Sequence, residues 1–354
     1  MNIEELGFDD YFQNIIRELN RPELHPARVI AVDRGRFTLK DEKREFYGEL
    51  TGKFLFSADS PEDLPCVGDW VMVQNFDSDE TYIIHEILQR KTLIKRKTPG
   101  KTVDIQLVAS NIDIAFIVQS CHYDFNIRRL ERYLTMVYDS AIESIILLTK
   151  TDLLSVDELN LMIEQIRRSG IEARIIPVSN INGDGIDDVK KVITTGHTYC
   201  LLGSSGIGKT SLINKLNGND EFKTLTVSAT GEGRHATVRR QLIFLEQGGM
   251  IIDTPGMREL GIIDAENGMN LSFKDIDKLA KTCRFLDCNH ENEPGCSILS
   301  ALDSGSLDAD HYRNYLKLKR ETLFNEASYA EKRKKDREFG RFCKSVMKYK
   351  KKEY

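Results

Sequence analysis

Hydrophobic positions fall into successive patterns along the chain. Residues 3–19 place Leu6, Phe8, Tyr11, Phe12, Ile15, Ile16 and Leu19 on roughly one helical face. Arg21-Pro22 and His25-Pro26 predict the end of that helix. From Arg28 to about Lys97 the apolar runs shorten to strand length, at 28–32, 36–39, 45–50, 69–73 and 81–87. Turn residues separate them at 33–35, 65–68 and 77–79. Five short strands in so short a stretch predict a small closed barrel, best matched by an OB-like β-barrel. From about 104 to 265, strand candidates (112–119, 143–149, 172–178, 197–202, 239–246, 249–253) alternate with helix candidates (127–141, 155–169, 185–194, 208–217). That alternation predicts a multidomain α/β chain whose central sheet is mostly parallel, with helices on both faces. Between barrel and sheet, the basic run 90–101 reads as a solvated linker. Beyond 270 the pattern is helical.

Composition changes this picture in two places. The chain has 354 residues, 40% hydrophobic and 30% charged, enough for two or three well-cored domains. No apolar run approaches a membrane span, and the acidic start lacks the basic region of a signal peptide, so a cytoplasmic location is expected. The net charge of -5 argues against blanket coating of nucleic acid. Yet residues 312–354 hold 15 Lys and Arg against 6 Asp and Glu, a balance of +9 that leaves −14 for the remainder. Such asymmetry points to an anionic partner, with a solvated helix and tail as the bland alternative. Of seven cysteines, three cluster, and in a cytosolic chain clustering suggests metal rather than disulfide.

The chemistry centres on Gly203-Ser-Ser-Gly-Ile-Gly-Lys-Thr-Ser211, which fits G-x-x-x-x-G-K-[ST] between a predicted strand and a predicted helix. Gly203, Ser204, Ser205, Gly206, Ile207, Gly208 and Ser211 would wrap phosphate with backbone N–H groups. Lys209 would reach the outer phosphates, and the Thr210 hydroxyl would hold Mg²⁺. At the end of strand 143–149 lies Thr149-Lys150-Thr151-Asp152, a guanine-reading sequence. The Asp152 carboxylate can accept from guanine N1–H and the exocyclic amine, donors that adenine does not present in that arrangement. Lys150 would cover the ring, whereas Thr149 can make fewer hydrogen bonds than the commoner Asn. Val178-Ser179-Asn180 follows the next strand and offers Ser179 as a further, weaker candidate. Asp253-Thr-Pro-Gly256 fits D-x-x-G, with Asp253 toward Mg²⁺ and the Gly256 N–H toward the γ-phosphate. Between them Gly231-Glu-Gly-Arg-His-Ala-Thr237 occupies the place of a first switch loop, and Thr237 could complete the Mg²⁺ shell. Met257 stands where many GTPases carry a water-orienting Gln, so His235 becomes the catalytic candidate. The guanine sequence precedes the phosphate loop, the reverse of the ordinary order, and implies a circularly permuted P-loop GTPase domain.

Downstream, Cys283-x4-Cys288-x-His290-x5-Cys296 supplies three thiolates and one imidazole, the donor set of a closed structural Zn²⁺ site. The expected division is therefore an N-terminal helix (1–25), the barrel (26–98), the permuted GTPase domain (99–268) and a helical zinc-binding domain with basic tail (269–354).

Taken together, the permuted order, Gly-Arg-His-Ala-Thr-Val (233–238), Asp-Thr-Pro-Gly-Met-Arg-Glu-Leu-Gly (253–261) and the Cys/His module resemble the ribosome small-subunit-dependent GTPase A family over nearly the whole chain. The resemblance implies a bacterial GTPase that binds the small ribosomal subunit late in assembly, with subunit-stimulated hydrolysis of GTP to GDP. It also implies that barrel and zinc module contact ribosomal RNA and that His235 is catalytic. Ala236 and Val238 stand where the family commonly carries a Thr-rich run, and the N-terminal helix and basic tail are longer than the family pattern. The alternative kept open is a nucleotide-gated rRNA-binding switch with incidental hydrolysis, and the chain is expected to be monomeric.

Overall fold

The computed structural model describes residues 1–33, 36–75, 81–98, 104–218, 240–254, 261–263 and 265–350. The first helix, α1 (Asp10–Leu19), is shorter than the apolar spacing predicts. Gly7 turns the chain at φ +84°, and the Asp9 carboxylate then caps the helix by accepting from the Tyr11 N–H. The early apolar residues are not lost: Leu6, Phe8 and Phe12 pack with Trp70, Met72 and Leu88.

Five strands follow, β1 (His25–Asp33), β2 (Arg36–Lys40), β3 (Glu45–Leu50), β4 (Trp70–Asn75) and β5 (Thr81–Ile87), with a short helix α2 (Gly52–Ser57) after β3. They pair in the order β1-β2-β3-β5-β4 and close through β4 onto β1, so the predicted barrel is a closed five-strand barrel. Alternate residues Val29, Phe37, Leu39, Val71, Val73 and Ile84 fill its interior, as the two-residue period of a strand requires.

The expected solvated linker is instead a hairpin. Strand β6 (Leu93–Lys97) pairs antiparallel with β7 (Ile105–Ser110). The reason is visible in its side chains: Ile94 is fully buried, Arg96 donates to Gln106 at 2.9 and 3.1 Å, and Lys95 pairs with Glu62. The run is basic but amphipathic, and charge count alone hid the apolar position. Just before it, Arg90 makes a two-pronged bond to buried Asp69 (2.7 and 2.8 Å), and Ser110 donates to the same carboxylate. Barrel and hairpin are thereby locked together.

The remaining strands are β8 (Ile114–Ser120), β9 (Glu143–Thr149), β10 (Arg174–Val178), β11 (Thr198–Leu202), β12 (Gln241–Phe244) and β13 (Met250–Asp253). Their order, β10-β9-β8-β11-β13-β12, is parallel except for β12. Helices α3 (Ile127–Asp139) and α4 (Val156–Arg168) cover one face, while α5 (Ile186–Lys190) and α6 (Lys209–Asn217) cover the other. The division follows strand alternation: Ile146 and Leu148 face the first layer, Ile145 and Leu147 the second. Among the described residues, one strand pairing, Ala31 with Gln241, joins barrel and sheet edge to edge. Arg28, 1% exposed, reinforces the junction by donating to the Leu6 carbonyl and to Thr198 Oγ1 at 2.7 Å.

The C-terminal part is helical: α7 (Glu266–Ser272), α8 (Lys274–Ala280), α9 (Ser297–Asp303) and the 42-residue α10 (Ala309–Lys350). Phe273, Ile276, Ile298, Leu307 and Leu318 form their common core. Helices α7 and α3 meet at Gly268, where a Cβ would lie 2.0 Å from the Thr135 carbonyl oxygen, so only glycine permits that approach. Among the described residues, no helix is long and apolar enough to cross a membrane.

Candidate nucleotide site and metal centre

Four chemistry-bearing segments meet at one edge of the sheet. Thr149 ends β9, Ser179 follows β10, Gly203 follows β11 and Asp253 ends β13. All are carboxyl ends of parallel strands, where such sheets bind ligands. The sheet order interleaves segments far apart in sequence, so the permuted chain assembles a contiguous site.

The phosphate loop runs from Gly203 into the first turn of α6. Gly206 and Gly208 take φ of +79° and +99°, which L side chains rarely adopt. Ile207 anchors the loop from below at 2% exposure, and Ser205 and Thr210 are half-buried at the rim. The Lys209 ammonium donates to the carbonyls of Gly203 and Ser204, both at 2.7 Å. Burial pushes its pKa down to about 8, opposed by the nearby Asp253 charge. Pairing of β11 with β13 sets Leu201 opposite Asp253, which is 4% exposed, and Thr254 donates to the Leu201 carbonyl at 2.6 Å. A carboxylate and a hydroxyl-bearing helix start therefore flank the loop, a hard oxygen donor pair of the kind Mg²⁺ takes beside phosphate.

The two segments that the sequence offers for guanine follow β9 and β10. Lys150 adopts the left-handed conformation, φ +63°, at the turn out of β9. Asp152 Oδ1 accepts from Ser179 Oγ at 2.6 Å, and Ser179 Oγ accepts in turn from the Ile181 and Asn182 N–H groups. Ser179 is fully buried, so its hydroxyl orients the carboxylate from below. Thr149, also fully buried, donates through Oγ1 to the Ile207 carbonyl at 2.6 Å. Hydrogen bonds thus join Thr149 to the loop 203–211 and Asp152 to Ser179, with Lys150 and Thr151 in the same turn out of β9. His235, Thr237 and Gly256 lie outside the described residues.

Sequence reading missed the groups that support the loop from α3. Arg129 Nη1 donates to Ser204 Oγ and to Asp124 Oδ2, both at 2.6 Å. Tyr133, one turn later and fully buried, also hydrogen-bonds Ser204. The i, i+4 spacing in an evident helix was the available signal, but nothing linear connects it to residue 204.

The same helix carries the C-terminal module on its other side. Arg132 makes a two-pronged bond to Glu321 of α10 at 2.7 and 2.8 Å. Glu131 accepts from Asn314 at 2.6 Å and contacts His311 Nδ1 at 2.8 Å, while His311 Nε2 lies 3.2 Å from Asp275 of α8. Burial of His311 opposes its charge, but the hydrogen bonds to Asp275 and Glu131 outweigh that and push its pKa up to about 9. Ile262, shortly after the D-T-P-G segment, is held at both ends: its N–H approaches Glu321 at 3.3 Å and its carbonyl accepts from Asn325 at 2.8 Å.

The cysteine–histidine cluster forms between α8 and α9. The Sγ atoms of Cys283, Cys288 and Cys296 and a ring nitrogen of His290 all lie within 4.8 Å of one another. Cys283 and Cys296 are 3.9 Å apart and lie 3.5 and 3.4 Å from His290 Nδ1. Tetrahedral Zn²⁺ with bonds of about 2.3 Å to sulfur and about 2.0–2.1 Å to nitrogen demands edges of about 3.8 and 3.6 Å. The three edges among Cys283, Cys296 and His290 match that demand, and Cys288 Sγ lies within 4.8 Å of all three. Glu293 shapes the loop, its carboxylate accepting from the N–H groups of Asn289, Glu291 and Asn292.

Comparison with known proteins agrees with this geometry. The sequence profile of the RsgA GTPase family matches residues 87–263. A small ribosomal subunit biogenesis GTPase RsgA 2 from Vibrio parahaemolyticus is 36% identical, covering 99% of this chain and 94% of its own. A small ribosomal subunit biogenesis GTPase RsgA 1 from Bacteroides thetaiotaomicron is 37% identical over 93% and 92%. Among solved structures, YjeQ from Thermotoga maritima superposes with a TM-score of 0.61 at 25% identity, over 85% of this chain and 99% of that one. YloQ, described as a circularly permuted GTPase, gives 0.58 at 23% identity over 87% and 98%, a likeness of fold.

Proposed function

The chain belongs to the RsgA GTPase family, and we propose that it binds the small ribosomal subunit late in maturation and hydrolyses GTP to GDP and phosphate under stimulation by that subunit. The observation that carries this reading is the convergence of guanine-reading segment, phosphate loop and Asp253 at one sheet edge, in permuted order. In this reading Asp152 selects guanine, with Lys150 and Thr151 beside it and Ser179 holding the carboxylate. Backbone N–H groups of residues 203–211 and of Gly256 take the phosphates, and Lys209 neutralises their charge. Mg²⁺, held through Thr210, Asp253 and Thr237, would supply charge neutralisation on the phosphate oxygens. His235 orients the attacking water, because Met257 offers no polar group for that task.

Zn²⁺ at Cys283, Cys288, His290 and Cys296 has a structural role, since four protein ligands leave no open position. The proposed division at residues 25, 98 and 268 is an N-terminal helix, a barrel, a GTPase domain and a zinc module, its second boundary falling within the β6–β7 hairpin and its third within α7. Two surfaces suit RNA. Tyr47 on β3 is exposed beneath the Arg36 guanidinium, with Phe56 of α2 also exposed. In the zinc loop, Arg284 lies over Phe285, and Leu286 is fully exposed. Exposed aromatics beside arginine are what unstacked bases use.

Co-sedimentation with separated ribosomal subunits, in GDP and in a non-hydrolysable GTP analogue, tests the assignment. Association with the small subunit, favoured by the analogue, is expected. Association with the large subunit alone would overturn it.

A further inference from the structure

We infer that Asn180 and Thr149 form a two-point staple that fixes the spacing between the base-reading segments and the phosphate loop, which makes Asn180 a positioning residue for nucleotide binding. Thr149 Oγ1 donates to the Ile207 carbonyl at 2.6 Å, and Asn180 Nδ2 donates to the Gly208 carbonyl at 3.0 Å. The acceptors are consecutive carbonyls of the phosphate loop, immediately before Lys209. The donors come from the ends of two different strands, β9 and β10.

Three further features fit a staple rather than a chance contact. Asn180 Oδ1 is buried and has no hydrogen-bond partner among the described residues, so the amide is committed to Gly208 through its donor. Reversing the amide would set that oxygen against the Gly208 carbonyl, so the donor orientation is fixed. A Cβ at Gly208 would meet Asn180 Nδ2 at 2.8 Å, so glycine there admits Asn180 as well as allowing the φ of +99°. Finally, Ser179 ties the same β10 loop to the Asp152 carboxylate. Residues 179 and 180 therefore grip the base-reading carboxylate on one side and the phosphate loop on the other.

A nucleoside diphosphate must fill both halves at once. Each half binds its own fragment weakly, and fixed spacing makes the second contact intramolecular. The staple therefore matters for a ligand that spans the site and not for one that fills only the phosphate loop.

This inference rests on reading Thr149–Asp152 as the base site, so the experiment includes a control for that reading. The affinities of GDP and of inorganic pyrophosphate are measured by competition against a fluorescent GDP analogue for wild type, N180A, T149V, T149S and D152N. N180A and T149V are each expected to weaken GDP about tenfold while changing pyrophosphate less than about twofold, and T149S, which keeps the hydroxyl, to bind GDP as wild type does. GDP affinity unchanged in N180A and T149V, with D152N still disabling, would overturn the staple alone. Equal weakening of GDP and pyrophosphate would overturn it too, by showing loss of the phosphate loop itself. Unchanged GDP affinity in D152N would remove the base-site reading beneath it.

Discussion

His311 should make the seam between the GTPase sheet and the zinc module sensitive to pH. Its ring is buried between Glu131 of α3 and Asp275 of α8, with Arg128, Asp308 and Asn314 as neighbours and the Phe273 ring tilted against it at 4.9 Å. The two carboxylates raise its pKa from 6.5 to about 9. A folded-state pKa above the unfolded value stabilises the folded form fully below about pH 6.5, and the gain disappears as pH rises through about 9. The gap amounts to about 3 kcal/mol at pH 6. Replacing His311 with Gln should therefore cost most at low pH and least above pH 9. Urea unfolding of the two proteins at pH 6, 7.5 and 9.5 reads the difference, and an NMR titration of the ring gives the pKa directly. A pH-independent difference, or a ring that titrates at or below 6.5, would refute the reasoning.

Other perturbations probe separate parts of the structure. Gly268→Ala pushes a methyl into the Thr135 carbonyl and should destabilise the α3–α7 contact by about 2–3 kcal/mol, measured as a lowered urea midpoint. Glu321→Gln breaks the paired charge with Arg132 at the α3–α10 seam, so a loss of about 1–2 kcal/mol is expected in the same assay. Purified protein should carry one zinc per chain. Cys288→Ser should lose it and speed amide exchange in α8 and α9, and full metal retention would contradict the four-ligand set.

Much of this was legible because strong periodicity and local chemistry agree. The strands from β8 to β11 are apolar runs flanked by turn residues, and β9, β10 and β11 each lead into a candidate site segment. Thr149, Asp152, Gly203 and Asp253 could be placed at strand ends before any fold was known. The cysteine spacing likewise pointed to Cys283, Cys288, His290 and Cys296, which the fold gathers into one cluster.

What stayed hidden depends on long-range contact. The 90–101 run was masked by its charge, although Ile94 is a core residue. Arg129 and Tyr133 gain meaning only because the sheet order brings α3 against Ser204. Asn180 acquires its role only because the fold sets the Gly208 carbonyl opposite its amide, 28 residues on in the chain. The His311 cluster joins α3, α8 and α10, three helices that no linear pattern connects.

The most direct measurement of the central claim is steady-state nucleotide hydrolysis by the purified protein, alone and with each ribosomal subunit, using GTP and ATP. Slow turnover of GTP alone, accelerated many-fold by the small subunit and not by the large one, with ATP inert, is the predicted result. Equal turnover of GTP and ATP, indifferent to either subunit, would contradict it.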